Sequence, residues 1–522
     1  MRVGFLVALL GALAIAAIGV IARDGAGPDP SRLVASVPRA KPDGGRAAAI
    51  ATKHVEPRAL EIAPGGALET QRMLRARDFD GLAKRIEEAE RRVEADARRE
   101  PDLVRVLTAF DSGDPALTPL LDAWVAASPD AWTARLARAT HFVTVAWRRR
   151  GSKVGRETTE EQHAQMQDFL RKSVEDAKVV LKHNEKVGAA YRLLISSAMG
   201  IGDNRACIAL AAQGIAVSPA SLRIRTRLAT CLLPRWGGSY DALAALAREA
   251  ATHVKENPSL ACLAGWVDWD RGRNAAAEKR YQDAIELYTK ALDAGEYWEF
   301  YEERADAYYR QKRYTEALAD IARGLALQPE DPGMLVSRAQ ALQALARPED
   351  AVADIRVAAE LDPTDEDVVW FSNHENEAAA FEGFQALEVR KDAMGAIRRL
   401  TLAIDMTGGS GDVFFRRGRA YLALPDIPTA LADFEKAIHL DPRHFEAYRN
   451  IDYILAKQGD WDGIIERWTR YIELEPMSGP ALLERGGARH HKGDEVNARA
   501  DLRKACGLGT TEACELEKRL DG

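Results

Sequence analysis

Residues that could do chemistry are sparse in this chain and poorly spaced for it. His490 and His491 are adjacent. Neighbouring helical positions point about 100° apart, so the two rings cannot face one metal ion from the same turn. No His-Glu-x-x-His or Cys-x-x-Cys run occurs. Gly408-Gly409-Ser410-Gly411 is glycine-rich, but no Lys-Ser or Lys-Thr follows and no strand precedes, which argues against a phosphate-cradling loop. A Gly-x-Ser-x-Gly elbow is missing as well. Glu302-Glu303 and Glu87-Glu88 read as charged, solvated helix faces rather than acid–base pairs. The expectation is a chain without catalytic residues, cofactor or metal, and not an enzyme.

What the chain does carry is helical periodicity. In Asp412–Pro442, Phe414, Gly418 and Tyr421 share one face of a first short helix. Ala430, Phe434 and Ala437 share one face of a second, which Pro442 ends for want of an N–H. Such a pair cannot bury its apolar face alone and needs copies on either side. The unit from Ala379 is degraded, with Phe384 where Gly418 stood, though Ala396 and Ala403 match. Gly333–Pro363 aligns through Ala339, Ala351, Ile355 and Ala358, and the unit before it through Tyr301, Ala305, Tyr308, Ala317, Ile321, Gly324 and Pro329. Glu446–Pro476 keeps Tyr448, Leu455, Trp468 and Pro476; a last unit from Pro480 keeps Gly486, Ala498 and Ala505. Small residues mark where two helices approach and large ones fill the gaps.

Residues from about 280 to 510 therefore resemble tandem tetratricopeptide repeats, whose period is about 34 residues. The resemblance implies an all-α solenoid of antiparallel helix pairs with a right-handed superhelix. The first helix of each pair would line the concave face. That face would present Glu299, Glu302, Asp306 and Tyr309 at one end, then Phe381, Phe415, Arg419, Arg449 and Tyr453. Aromatic residues and arginine are common anchors of protein interfaces. The lysine–asparagine pattern by which some such domains grip a C-terminal carboxylate is not evident; Arg449-Asn450 is a lone echo.

The remaining segments frame this domain. Met1–Ala22 places one arginine before about 20 apolar residues, enough to span a bilayer, while Val20-Ile21-Ala22 is also an acceptable cleavage site. Membrane anchor and signal peptide both stay open; either puts the rest outside the cytoplasm, at the cell envelope. Residues 23–66 are rich in proline and glycine and read as a disordered linker with a reach of roughly 35–40 Å. A net charge of −7, without a basic block, excludes a nucleic-acid footprint.

Residues 67–258 form a less regular helical domain. Turns are expected near Asp78 and at Ser128-Pro129, with Asp130 as the N-cap of the following helix. Tyr191–Pro219 looks repeat-like. Then comes an unusual loop: Pro234-Arg235-Trp236-Gly237-Gly238-Ser239-Tyr240. With AWTARLARATHFVTVAWRRRG and GAAYRLLI, it resembles a bacterial domain family of unknown function, often fused to tetratricopeptide repeats, over about residues 70–255. That family brings no activity with it. Gly237-Gly238 permits a sharp turn and Ser239 can cap the next helix. Trp236 either packs back onto the helices or, with Arg235, grips a ligand.

Of five cysteines, Cys506 and Cys514 lie in KACGLGTTEACELEK, a spacing similar to the disulfide-bearing repeats of secreted Sel1-like proteins. That resemblance implies a disulfide stapling the 511–522 cap helix outside the cytoplasm; two free thiols are the alternative. Cys207 and Cys231 lie on consecutive helices and could pair, leaving Cys262. The chain thus reads as an envelope adaptor, repeats at 259–510, that holds a protein or peptide. The rival is an enzyme or small-ligand domain at 67–258 around the Arg235–Trp236 loop, which a deep pocket beneath the loop would favour.

Overall fold

The computed structural model describes residues 66–151 and 158–521. Met1–Ala22 and nearly all of the 23–66 linker lie outside the described residues. Among the described residues there are helices and turns and no strands, so the fold is all-α. The chain forms two compact units, one to Val369 and one from Trp370.

The first unit begins with helices Ala67–Arg75 and Phe79–Ala95, joined at Asp78, whose carboxylate accepts Gly81 N–H and caps the second. Trp132–Arg150 and Glu160–His183 form its longest packed pair. Asp130 is not the cap of Trp132–Arg150. Pro129-Asp130 is taken up in a turn, and Ala131 holds the cap position without a side-chain bond. Gly188–Gly200 with Asn204–Val217, and Leu222–Cys231 with Tyr240–Ala250, continue the pairs. Three further pairs follow: Trp266–Ala277 with Tyr281–Ala294, Trp298–Arg310 with Tyr314–Leu327, and Pro332–Ala344 with Pro348–Leu361.

The two ends of this unit meet. The guanidinium of Arg72 donates to both carboxylate oxygens of Glu360 at 2.5 and 2.7 Å. Gln71 donates its amide to the Leu361 carbonyl at 2.7 Å and to that of Ala109 at 3.2 Å. Buried Asp362 accepts Gly113 N–H at 2.8 Å and pairs with Arg148 at 2.7 Å. The Ala67–Arg75 helix has no cap of its own; the Glu330 carboxylate accepts the Ala67 amide instead. A Cβ on Gly66 would fall 2.3 Å from that carboxylate, which would have to shift to admit it. Helix pairs that stack with a constant turn curl, and here the curl brings first helix against last.

The second unit holds the pairs Gly411–Ala423 with Ile427–Leu440, Phe445–Gln458 with Trp461–Leu474, and Gly479–Lys492 with Glu495–Gly507, then the cap helix Thr511–Asp521. Gly418 does what its size predicts: a Cβ there would lie 2.8 Å from the Phe434 ring. The degraded unit differs from expectation. Its first helix starts at Glu366 and runs to Phe384, then loosens into a π-helical turn at Gln385–Val389 before Ala393–Thr407. The close approach belongs to Gly383, whose Cβ would meet Leu400 at 2.6 Å, and not to Phe384, which is exposed. Gly383 stands one residue further from the next helix cap, Asp392, than Gly418 does from Asp426. A π turn absorbs one extra residue.

A buried ion pair recurs between the helices of a repeat. Arg304–Asp320, Arg338–Asp354, Arg417–Asp433 and Arg485–Asp501 are bidentate at 2.5–2.8 Å. Arg304, Arg417 and Arg485 also donate to a threonine on the preceding helix, Thr289, Thr401 and Thr469. One guanidinium fork thereby ties three successive helices.

Candidate functional site

The expected contact residues fall on first helices of repeats. In the first unit Tyr309 is half-buried, its ring 5.2 Å from Tyr314. In the second, Phe381 is 63% exposed and Tyr453 52% exposed, with Lys457 over the Tyr453 ring. Phe415 packs between Phe434 and His444 at 5.9 and 4.6 Å. Arg419 is committed to Glu388 at 2.6 Å, and Arg449 reaches Glu484 at 3.4 Å. Phe381 and Tyr453 are thus the open members of the set, while Phe415 and Arg419 have structural partners. Sequence reasoning missed Trp370, Val389 and Met394, which are also exposed around the degraded repeat. For Trp370 the signal was the loss of the 3.6-residue apolar stripe in Glu366–Phe384, where polar and apolar residues fall on every side.

The Pro234–Tyr240 loop is anchored through Arg235, Trp236 and Tyr240, while Pro234, Gly237 and Ser239 are exposed. Pro234–Trp236 is one tight turn, and Gly237 takes a left-handed φ of 87°. A Cβ on Gly238 would lie 2.0 Å from the Leu232 carbonyl oxygen. Ser239 caps Tyr240–Ala250 by accepting the Ala242 amide. Arg235 pairs with buried Asp270, which also accepts the Tyr240 hydroxyl at 2.9 Å. Trp236 sets its edge against Trp147 at 6.0 Å, and Asn204 donates to its carbonyl. The loop is a bracket that clamps the Trp266–Ala277 helix through Asp270.

A cavity of about 440 Å³ lies elsewhere in the first unit, lined by inner faces of successive first helices and by residues 97–111. Glu299 lines it, as do Arg192, Arg223 and Arg227. Glu302-Glu303 is not a solvated pair. Both are half-buried, Glu303 is held by Arg273 at 2.9 Å, and burial pushes both carboxyls above their ordinary range. The curl of the unit removes that face from water, which no local pattern reveals.

The histidine doublet has ordinary partners: His490 bonds Glu495 at 2.8 Å and His491 stacks on Trp461. Among the described residues no group of three His, Cys, Asp or Glu is arranged to hold a metal ion. None of the described helices is long and apolar enough to cross a membrane. Cys506 and Cys514 form a disulfide. Cys207, Cys231 and Cys262 are buried free thiols, the first two with Sγ atoms 2.9 Å apart.

Comparison with known proteins agrees with this architecture. Residues 262–332, 303–366 and 415–463 match the family Tetratricopeptide repeat. Residues 67–200 match Domain of unknown function (DUF4034), a match that stops short of the Pro234–Tyr240 loop. The chain is 29% identical over 192 residues to a DnaJ homolog subfamily C member 7 homolog of Schizosaccharomyces pombe, covering 33% of this chain and 40% of that protein. It is 35% identical over 89 residues to Tetratricopeptide repeat protein 36 of Xenopus tropicalis, covering 16% and 44%. The chain thus spans less than half the length of either relative. Among solved structures it is similar to YrrB, described as a TPR protein with an unusual peptide-binding site, at 21% identity over 38% of this chain and 96% of that one, with a TM-score of 0.22. MamA is similar at 16% identity over 41% and 93%, with a TM-score of 0.21.

Proposed function

We propose that this chain, tetratricopeptide repeats joined to a domain of unknown function, is a non-catalytic scaffold that holds a protein or peptide partner at the bacterial cell envelope. The observation that carries the reading is the pair of open aromatic rings, Phe381 and Tyr453, on first helices of second-unit repeats, with Trp370 and Phe384 also exposed on the helix of Phe381. A solenoid has room to bury such rings, and leaving them in water forgoes roughly 1.5–3 kcal/mol each. Contact surfaces for proteins are where that cost is recovered. The family match of the repeats supports the same reading. The envelope location rests on the apolar Met1–Ala22 stretch and on the cysteine pair of the cap helix.

The test compares the wild-type chain with Phe381→Ala/Tyr453→Ala in capture from cross-linked envelope fractions. Both side chains are solvent-exposed, so the variant melts within about 2 °C of wild type. A protein captured by the wild type and lost by the folded variant is the expected result. Equal capture by both removes these rings from the binding surface. Reversing Arg419 would be a poorer probe, because it breaks the pair with Glu388.

A further inference from the structure

The cavity of the first unit is lined by guanidinium groups that lack acceptors. Most of its lining charges are committed. Glu100 accepts the Ser221 hydroxyl and the Leu222 amide, capping the Leu222–Cys231 helix. Asp331 caps Pro332–Ala344, Glu296 takes Tyr301 and Arg323, and Asp111 takes the Thr144 hydroxyl. Arg98 is held by Asp96 and Arg273 by Glu303. That leaves Arg192, Arg223 and Arg227, whose guanidinium groups have no ion pair or hydrogen bond among the described residues, with Glu90, Glu100, Asp111 and Glu299 acting on them at longer range.

These three arginines form a built site. Arg223 and Arg227 stand one turn apart on the same inner helix, and Arg192 is on the inner helix before it. Arg223 Nη1 is a buried donor without an acceptor. Guanidinium groups gathered in a wall of protein repel one another and are short of water. Burial, then Arg227 and Arg223, push Arg192 down to about 9. Tyr297 and Trp269 line the same space and offer flat apolar surface. The volume lies within the range of about 300–1,000 Å³ that holds small molecules.

We propose that this cavity binds a small organic anion, a phosphate monoester or a dicarboxylate, through Arg192, Arg223 and Arg227. Guanidinium groups without acceptors call for a ligand that brings acceptor oxygens, and a phosphate or carboxylate brings several. Their forked donors match phosphate or carboxylate oxygens. The site is independent of the partner surface in the second unit and of the Arg235–Trp236 loop.

The test is calorimetric titration and thermal melting of the full chain with inorganic phosphate and with succinate, against sodium chloride at matched ionic strength. Saturable binding of either anion is expected, with a rise in Tm that chloride does not reproduce. Phosphate alone points to a phosphate ester, succinate alone to a dicarboxylate, and either outcome supports the site. Arg192→Gln/Arg227→Gln is expected to melt no lower than wild type without probe, since repulsion is relieved, and to bind at least about tenfold more weakly. No saturable response to either anion, or an unchanged response in the glutamine variant, overturns the proposal. Should that variant not fold, Arg192→Lys/Arg227→Lys decides: weakened binding supports the site, and unchanged affinity overturns it, because lysine lacks the fork.

Discussion

At the scale of single residues, Asp452 shows how position reverses an ordinary property. Burial pushes its carboxyl up to about 7, against the pull of the Trp468 indole N–H that it accepts at 2.5 Å. Its other oxygen is buried without a partner. A carboxyl raised in the folded state contributes stability below the ordinary carboxylate range, and that stability is lost as pH rises through about 7. Asparagine keeps the acceptor for Trp468 and never ionises. Asp452→Asn is therefore expected to melt a few degrees above wild type at about pH 8, and the gap is expected to be clearly smaller at about pH 5. Melting curves at both values check this; a constant difference would mean that Asp452 is not the titrating group. Burial pushes Glu90 up to about 7 as well, so only the difference between the two proteins isolates Asp452.

At the scale of the element, the recurring arginine–aspartate pair sets the spacing of helices within a repeat. Asp433 is buried and Arg417 nearly so. Removing one partner leaves a charge without compensation, which costs about 3–5 kcal/mol, whereas replacing both by apolar groups costs far less. Arg417→Ala is expected to lose about 3 kcal/mol in denaturant titration and Arg417→Met/Asp433→Leu under about 1 kcal/mol. Equal losses in the two variants would count against the charge pair as the cause. The pair was present in the sequence as an arginine beside each small residue, but its bidentate geometry needed the packed helices. The repeat at Phe445–Leu474 departs from it: Ile451 takes the arginine's place against Trp468, and Asp452 bonds the indole instead. The π turn at Gln385–Val389 was not legible either, because one extra residue shifts a helical pattern without erasing it.

At the scale of the whole molecule, the closure of the first unit matters most. Asp362 joins residues far apart in the chain, through Gly113 and Arg148. It is buried, so Asp362→Ala strands the Arg148 charge and is expected to cost about 3–5 kcal/mol. Hydrogen exchange gives the sharper test. If the two ends form one closure, exchange rises together in 100–150 and 348–365; a rise confined to one end would contradict it. The cavity depends on the same closure, since residues 97–111 supply one wall.

From its sequence alone this chain determined its helix pairs, its all-α class and the small residues at its close approaches, because each follows from a local period and a local volume. Gly418, Ala430 and Phe434 could be read without coordinates for that reason. The Gly237–Ser239 turn and its cap were legible on the same ground. Only the tertiary structure decided which aromatic rings stayed in water, that Arg235 was a bracket on Asp270, and that Arg192, Arg223 and Arg227 shared one cavity. Those facts depend on small rotations between helix pairs that add up along the chain. No short window of sequence contains their sum.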